Sequence, residues 1–236
     1  MKKILNKKIN ASTTFLSLVL IFIFTFSVIQ LNEEQKMVQT SAGTVSNKKI
    51  GWGIKRADNH KQPDVGSVNK SIIEKYDGIC LGNSEKKYIY LTFDNGYEAG
   101  YTEKILEVLK QNNVPATFFL TAHYINTQSE LVQRMINEGH IIGNHTASHK
   151  SMPEIDNDTI KKEVMDLHTA VYEKFGYEIK YIRPPKGEYS ERTVEYTTTL
   201  GYKTVMWSFA NDDWDESKQG REEYGKKKIL DNVHNR

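Results

Sequence analysis

Residues 88–121, YIYLTFDNGYEAGYTEKILEVLKQNNVPATFFLT, decide the fold. They open on a β-branched and aromatic run over 88–93 and pass through Asp94-Asn95-Gly96. Helical spacing follows over about 102–112, with Ile105, Leu106 and Leu109 on one face, and the stretch closes on a second β-rich run, ATFFLT at 116–121. Strand, helix and strand in this order form a βα unit, whose strands lie parallel. The pattern repeats downstream. Thr127 with Glu130 predicts a capping box opening a helix that Gly139 closes. HIIGNH at 140–145 reads as a strand with its loop, and Ile160, Val164, Leu167 and Val171 give a helix over 158–175 before Gly176. YIRPP at 181–185 is a strand running into a proline turn, Ser190 caps a helix ended by Gly201, TVMWSF at 204–209 is a further strand, and 219–234 reads as helical. The expected class is α/β, with a parallel sheet or barrel.

Upstream, residues 51–86 predict an extended wrap with one short helix near 71–76 that packs on this domain, with Cys80 filling space there as a small apolar group. Residues 33–50 are polar without periodicity and predict a flexible linker. Lys2, Lys3, Lys7 and Lys8 precede an apolar run from Phe15 to Leu31, so residues 1–32 read as a signal or membrane anchor that sends the rest of the chain across the membrane. No small-x-small cleavage site follows closely, which favours an uncleaved anchor. In a chain of 236 residues, 38% hydrophobic and 26% charged residues exclude general disorder, and a single cysteine excludes a disulfide scaffold. Thirty-two Lys and Arg against 30 Asp and Glu leave a net charge of +2, much of it in the first eight residues, so there is no nucleic-acid footprint.

In parallel βα folds, functional groups gather where the strands end. Four such ends carry polar groups here: Thr92-Phe93-Asp94-Asn95-Gly96, His145-Thr146-Ala147-Ser148-His149, Arg183-Pro184-Pro185-Lys186-Gly187 and Asp213-Trp214. His145 and His149, four apart on a turn or tight loop, can address one metal ion. An isolated pair of this kind more often satisfies a core or lies on a surface, but its place after a strand favours a ligand pair. Asp94 is either a turn cap before Asn95-Gly96 or a general base that takes a proton from water. Arg183 is an ordinary cation by itself and a two-pronged partner for Asp94 in this context. Tyr97, Tyr101, Tyr124 and Trp214 can stack on sugar rings, although aromatic side chains are more often core.

TFDNG, HTASH, RPPKG and the DW pair, in this order on successive strands, resemble the polysaccharide deacetylases of the NodB-homology type, carbohydrate esterase family 4. The resemblance covers about residues 87–236. TFDNGYE, GHIIGNH, the WG at 52–53 and YDGICLGN at 76–83 look closest to the delta-lactam-biosynthetic branch of spore-forming bacteria, which acts on muramic acid. It implies a distorted (β/α) barrel and metal-assisted removal of acetyl groups from N-acetyl sugars of cell-wall peptidoglycan. It implies Asp94 as catalytic base and Arg183 as the residue that orients it. His145, His149 and Asn95 are then the metal-site residues, and Asp213 with Trp214 supports the site. Substrate contacts fall to Tyr97, Pro185, Gly187 and Trp214. Zinc suits two histidines with oxygen donors, and cobalt, manganese or nickel also fit. A monomer outside the cytoplasm, tied to the membrane by its first segment, is expected.

Two positions depart from the family. Most members carry a second aspartate where this chain has Asn95, while the spore-cortex branch shows the same Asn. An amide leaves a bound divalent ion less neutralised, which predicts looser metal binding and a more strongly acidified water. The family also has a late Leu-x-His segment whose histidine protonates the departing amine, and the chain reaches Arg236 without it, with His234 a poor substitute. A domain lacking its C-terminal strands is therefore expected, and the alternative function is an inactive or truncated glycan-binding remnant. A two-metal phosphoesterase would need further ligands at strand ends, and none is present.

Overall fold

A computed structural model describes residues 45–57, 61–211, 213, 215, 217 and 220–232. In chain order these form β1 (Ile50–Gly51), α1 (Ser67–Lys75), β2 (Thr92–Asn95), α2 (Thr102–Gln111), β3 (Thr117–Leu120), α3 (Ala122–Thr127), α4 (Ser129–Asn137) and β4 (Ile141–Asn144). There follow α5 (Asn157–Phe175), β5 (Tyr181–Ile182), β6 (Glu188–Tyr189), α6 (Glu191–Thr199), β7 (Lys203–Thr204) and α7 (Glu222–Leu230). Five parallel strands make one sheet in the order β2-β3-β4-β5-β7, and β1 pairs antiparallel with β6. The expected α/β class with a parallel sheet is thus present; β2 is an outer strand of the five, and beyond β7 Ile79 pairs parallel with Val205.

The register explains which residues face where. Phe93, Phe118 and Ile142 lie side by side across β2, β3 and β4, as do Asp94, Phe119 and Gly143 one residue further on. Successive side chains of a strand point to opposite faces. Phe118, Leu120, Ile142 and Ile182 accordingly pack against Leu106, Leu109, Val132, Met135, Ile160, Val164, Leu167 and Val171 of the helices. Burying each such side chain is worth about 1.5–3 kcal/mol. Asp94, Phe119 and Gly143 occupy the other face. Gly143 is required there because a Cβ would sit 2.4 Å from the Phe119 ring, which lies across the strand.

Local signals set the helix ends. Asp156 accepts a bond from Thr159 N and starts α5, Gly176 ends it in the left-handed conformation, and Ser190 with Thr193 forms a capping box on α6. The capping box expected at Thr127 and Glu130 is not formed: the helix breaks at Gln128, and the Thr127 hydroxyl donates back to the His123 carbonyl. The strand expected at 88–93 begins only at Thr92, because β2 is an edge and Tyr88, Ile89 and Tyr90 are exposed there. The strand expected at 204–209 is limited to Lys203–Thr204, although Val205 N still bonds to Ile182 O and Met206 N to Ile79 O.

A second apolar cluster joins the N-terminal extension to this frame: Trp52, Val65, Ile73 and Cys80 pack with Tyr189, Val194 and Met206. The last residues of the expected flexible linker are bound to the domain. Asn47 bonds to Pro153 O and Ser190 Oγ, and Ser46 O accepts from Arg192 N. Among the described residues no helix is long and apolar enough to cross a membrane. The apolar run Phe15–Leu31, Trp214 and His234 lie outside the described residues.

Candidate active site at the strand ends

Asp94 and Thr92, two apart on β2, share a strand face, and Arg183 leaves the end of β5 to bridge them. Its Nη1 donates to Asp94 Oδ1 at 2.7 Å and to Thr92 Oγ1 at 2.9 Å, and its Nε donates to Val205 O at 3.1 Å. The guanidinium lies 4.2 Å from the Phe119 ring centroid and 5.7 Å from that of Trp207. Arg183 is 3% exposed, so its charge is sustained by Asp94, whose side chain keeps 35% exposure at the mouth of the site. Removing Asp94 would leave the Arg183 charge buried without its partner. Asp94 Oδ2 lies 3.8 Å from His145 Nε2.

His145 follows β4 directly. Its Nδ1 is 2.9 Å from the Arg183 carbonyl oxygen, which can only accept, so Nδ1 carries the proton and Nε2 presents a lone pair. The turn Thr146-Ala147-Ser148 brings His149 back, with the two Nε2 atoms 3.2 Å apart. That return needs positive φ at Thr146 (65°) and His149 (57°), each a strained position costing about 1–3 kcal/mol. Hydrogen bonds hold it: Asn144 Oδ1 accepts from Thr146 N, Thr146 Oγ1 from His149 N, and Glu163 O from Ala147 N. The buried Glu163 carboxylate also takes Ser148 N and Oγ and pairs with Lys150. Burial lowers the proton affinity of both histidines. His149 falls to about 4, with repulsion from Lys186, and from His145 whenever that ring is protonated, adding to burial, and Asp94 opposes the fall at both rings. At neutral pH the two rings are neutral and suited to a cation.

Asn95 ends β2 in register with Leu120 and Asn144, the residue before His145. Its Nδ2 donates to Thr102 Oγ1 at 3.4 Å, while its Oδ1 is buried without a partner. Two facing imidazole nitrogens and an orphaned acceptor at one sheet end fit a divalent ion. Among the described residues no group of three His, Cys, Asp or Glu side chains forms such a site.

The structure therefore brings Asp94, Arg183, His145 and His149 together. The other expected residues are placed differently. Tyr97 is 72% exposed on the loop after β2. Pro185 and Gly187 are buried, and a Cβ on Gly187 would meet Trp207 at 2.7 Å, so these two residues shape the turn and leave Lys186 as its exposed member. Asp213 is exposed and lines a surface cavity with Asn211, Arg221 and Tyr224, a cavity whose walls include neither Asp94 nor the histidine pair. Tyr124, considered above for sugar stacking, is fully buried and donates to Glu98 Oε2. Sequence reasoning missed Thr92, Thr102, Phe119 and Glu163. Only Thr92 had a readable signal, its two-residue spacing from Asp94.

Residues 81–205 match the polysaccharide deacetylase family. The chain is 45% identical over 194 residues to the peptidoglycan-N-acetylmuramic acid deacetylase PdaA of Bacillus subtilis, covering 82% of this chain and 74% of that protein. The solved structure of Bacillus subtilis PdaA, a family 4 carbohydrate esterase, superimposes with a TM-score of 0.77 over 80% of this chain and 82% of its own. A family 4 carbohydrate esterase from Bacillus anthracis, 38% identical, gives a TM-score of 0.67 over 82% of this chain and 95% of its own. A peptidoglycan-N-acetylglucosamine deacetylase of Bacillus cereus is 38% identical over 155 residues, 65% of this chain and 56% of that protein. With motifs, fold and these relatives in agreement, the chain belongs to the polysaccharide deacetylases, the NodB-homology carbohydrate esterases of family 4, hydrolases of the amide bond in N-acetyl sugars.

Proposed function

We propose that this chain removes the acetyl group from N-acetylmuramic acid in peptidoglycan by metal-dependent hydrolysis, on the outer side of the membrane, and that its product feeds delta-lactam formation in the spore cortex. The relative named for muramic acid is 45% identical and the one named for glucosamine 38%, which supports the choice of sugar. The observation that carries the chemistry is the disposition of Asp94: one oxygen clamped by a buried arginine, the other 3.8 Å from an imidazole nitrogen.

In this reading His145, His149 and Asn95 hold a divalent ion, with zinc the first choice. When bound, such an ion supplies positive charge that polarises the acetamide and acidifies water. Asp94 takes the proton of the attacking water on Oδ2, since Oδ1 is engaged by Arg183. The water oxygen bonds to the acetyl carbon, the C–N bond breaks, and the proton held on Asp94 passes to the departing amine, giving acetate and a free amino sugar. Arg183 keeps the carboxylate aimed throughout, because Thr92, Val205 and two aromatic rings fix its own position. Tyr97, exposed beside β2, is available to a sugar ring. The first 32 residues tether the chain as a monomer to the membrane.

Acetate release from purified peptidoglycan, with and without a chelator, tests the reading. Chelator-sensitive release that returns with zinc is expected. Retention of glycan without acetate release would instead support a non-catalytic glycan-binding protein.

A further inference from the structure

We propose that Trp52, in the extension ahead of the βα units, is a positioning residue for the Arg183 clamp: its backbone N–H and its indole N–H each hold one of the two loops that fix the guanidinium against Asp94. The consequence for turnover rests on the deacetylase reading above. The placement rests on hydrogen bonds and packing alone.

Arg183 is fixed from two directions. On its own loop, after β5, the Gly187 carbonyl accepts from Trp52 N at 2.8 Å. On the segment after β7, Val205 O accepts from Arg183 Nε at 3.1 Å, and the Trp207 ring centroid lies 5.7 Å from the guanidinium. The bonds that order this segment change partner along it: Val205 N donates to Ile182 O, and Met206 N to Ile79 O. At the next residue the indole takes over, with Trp52 Nε1 donating to Trp207 O at 2.8 Å. Trp52 thus secures the backbone two residues beyond the carbonyl that holds Arg183. The two loops also meet at this point. Gly187, at φ 65°, has so little room that a Cβ would sit 2.7 Å from the Trp207 ring and 3.2 Å from Trp52 Cβ. Trp52 is itself buried, with its ring centroid 6.2 Å from that of Tyr189.

The clamp needs this support because its hydrogen bonds do not cover the whole guanidinium. Nη2 is buried, and no described residue accepts from it. The Phe119 and Trp207 rings offset part of the lost hydration through their π electrons, and only while they keep their distance from the cation. A side chain at position 52 without a donor would release the Trp207 carbonyl. The segment could then drift, and Arg183 would lose the aim of Val205 O and the contact with the Trp207 ring together.

Trp52→Phe keeps a ring beside Tyr189 and removes the indole N–H. Two measurements on the full chain test its effect: the kinetics of acetate release from purified peptidoglycan at saturating zinc, and hydrogen exchange of the Arg183 Nε–H by NMR, assigned as the resonance missing from Arg183→Lys. Trp52→Phe is expected to lower kcat about tenfold with KM unchanged, and to speed the exchange about tenfold. In the Arg183→Lys background it should lower kcat no further, because the clamp it serves is already gone. Ile73→Val thins the same apolar cluster from α1 and should leave kcat and exchange at their natural values. An equal fall of kcat in both backgrounds, exchange at the natural rate in Trp52→Phe, or the same losses in Ile73→Val overturns the proposal. Trp52→Met supplies the same comparison if the phenylalanine variant does not fold. A natural chain that releases no acetate overturns the deacetylase reading, and the exchange rates then decide the inference by themselves: faster exchange in Trp52→Phe alone upholds the positioning role, and equal rates overturn it.

Discussion

The carboxylate and imidazole halves of the site sit 3.8 Å apart and are built from different parts of the chain. Asp94 is held by side chains: a guanidinium, a threonine hydroxyl behind it and the faces of Phe119 and Trp207. The histidine pair is held mostly by backbone, through two residues at positive φ and the N–H groups of Thr146, Ala147, Ser148 and His149. The first half can be dismantled by substitution without moving the chain. The second yields only to changes that let the turn relax.

The largest expected effect tests that separation. Asp94→Asn should lower acetate release by about 10²–10⁴-fold, the usual range for a general base, while zinc affinity measured by calorimetry stays within a few-fold. Joint loss of both would show that the halves are one unit. Gly143→Ala breaks the side-chain half without touching a charge: the new methyl meets the Phe119 ring that supports Arg183. It should cost about 1–3 kcal/mol in urea denaturation and lower turnover at saturating zinc. Glu163→Ala attacks the other half by leaving Ser148 N and Oγ without their acceptor, at a cost of about 1–3 kcal/mol. The zinc concentration for half-maximal activity should rise, and turnover at saturation should change little.

The smallest effect is a pH dependence of the loop that joins the halves to α2. The Glu98 carboxyl lies at about 2 in the fold against 4.5 in an unfolded chain. A lowered carboxyl stabilises the fold fully above about 4.5, and the contribution fades as pH falls towards 2. After solvent screening it is under about 1 kcal/mol. Thermal melts between those limits should fall less steeply with acid for Glu98→Gln than for the natural chain.

Local periodicity made the βα order legible, because the helix stripe of Ile160, Val164, Leu167 and Val171 and the buried strand run at 117–120 are properties of neighbouring residues. The same reasoning placed Asp94, His145 and Arg183 at strand ends, where a parallel sheet gathers them. It overran at Tyr88–Leu91, since β propensity cannot tell an edge from the interior of a sheet. It misplaced the cap at Thr127 because the hydroxyl found a carbonyl four residues back. Phe119 over Gly143, Glu163 under the histidine turn and Thr102 behind Asn95 were out of reach, for each joins residues separated by 7 to 24 positions through tertiary packing alone.

Arg183 enters both halves through different atoms: its guanidinium grips Asp94, and its main-chain oxygen anchors the His145 ring. Every amino acid brings a carbonyl, so a random replacement at this codon strips the aspartate of its clamp yet spares the anchor. The two halves would then fail separately, the carboxylate first and the imidazole anchor after it. A chain altered at this position would lose the carboxylate's clamp while the main chain still held the His145 ring.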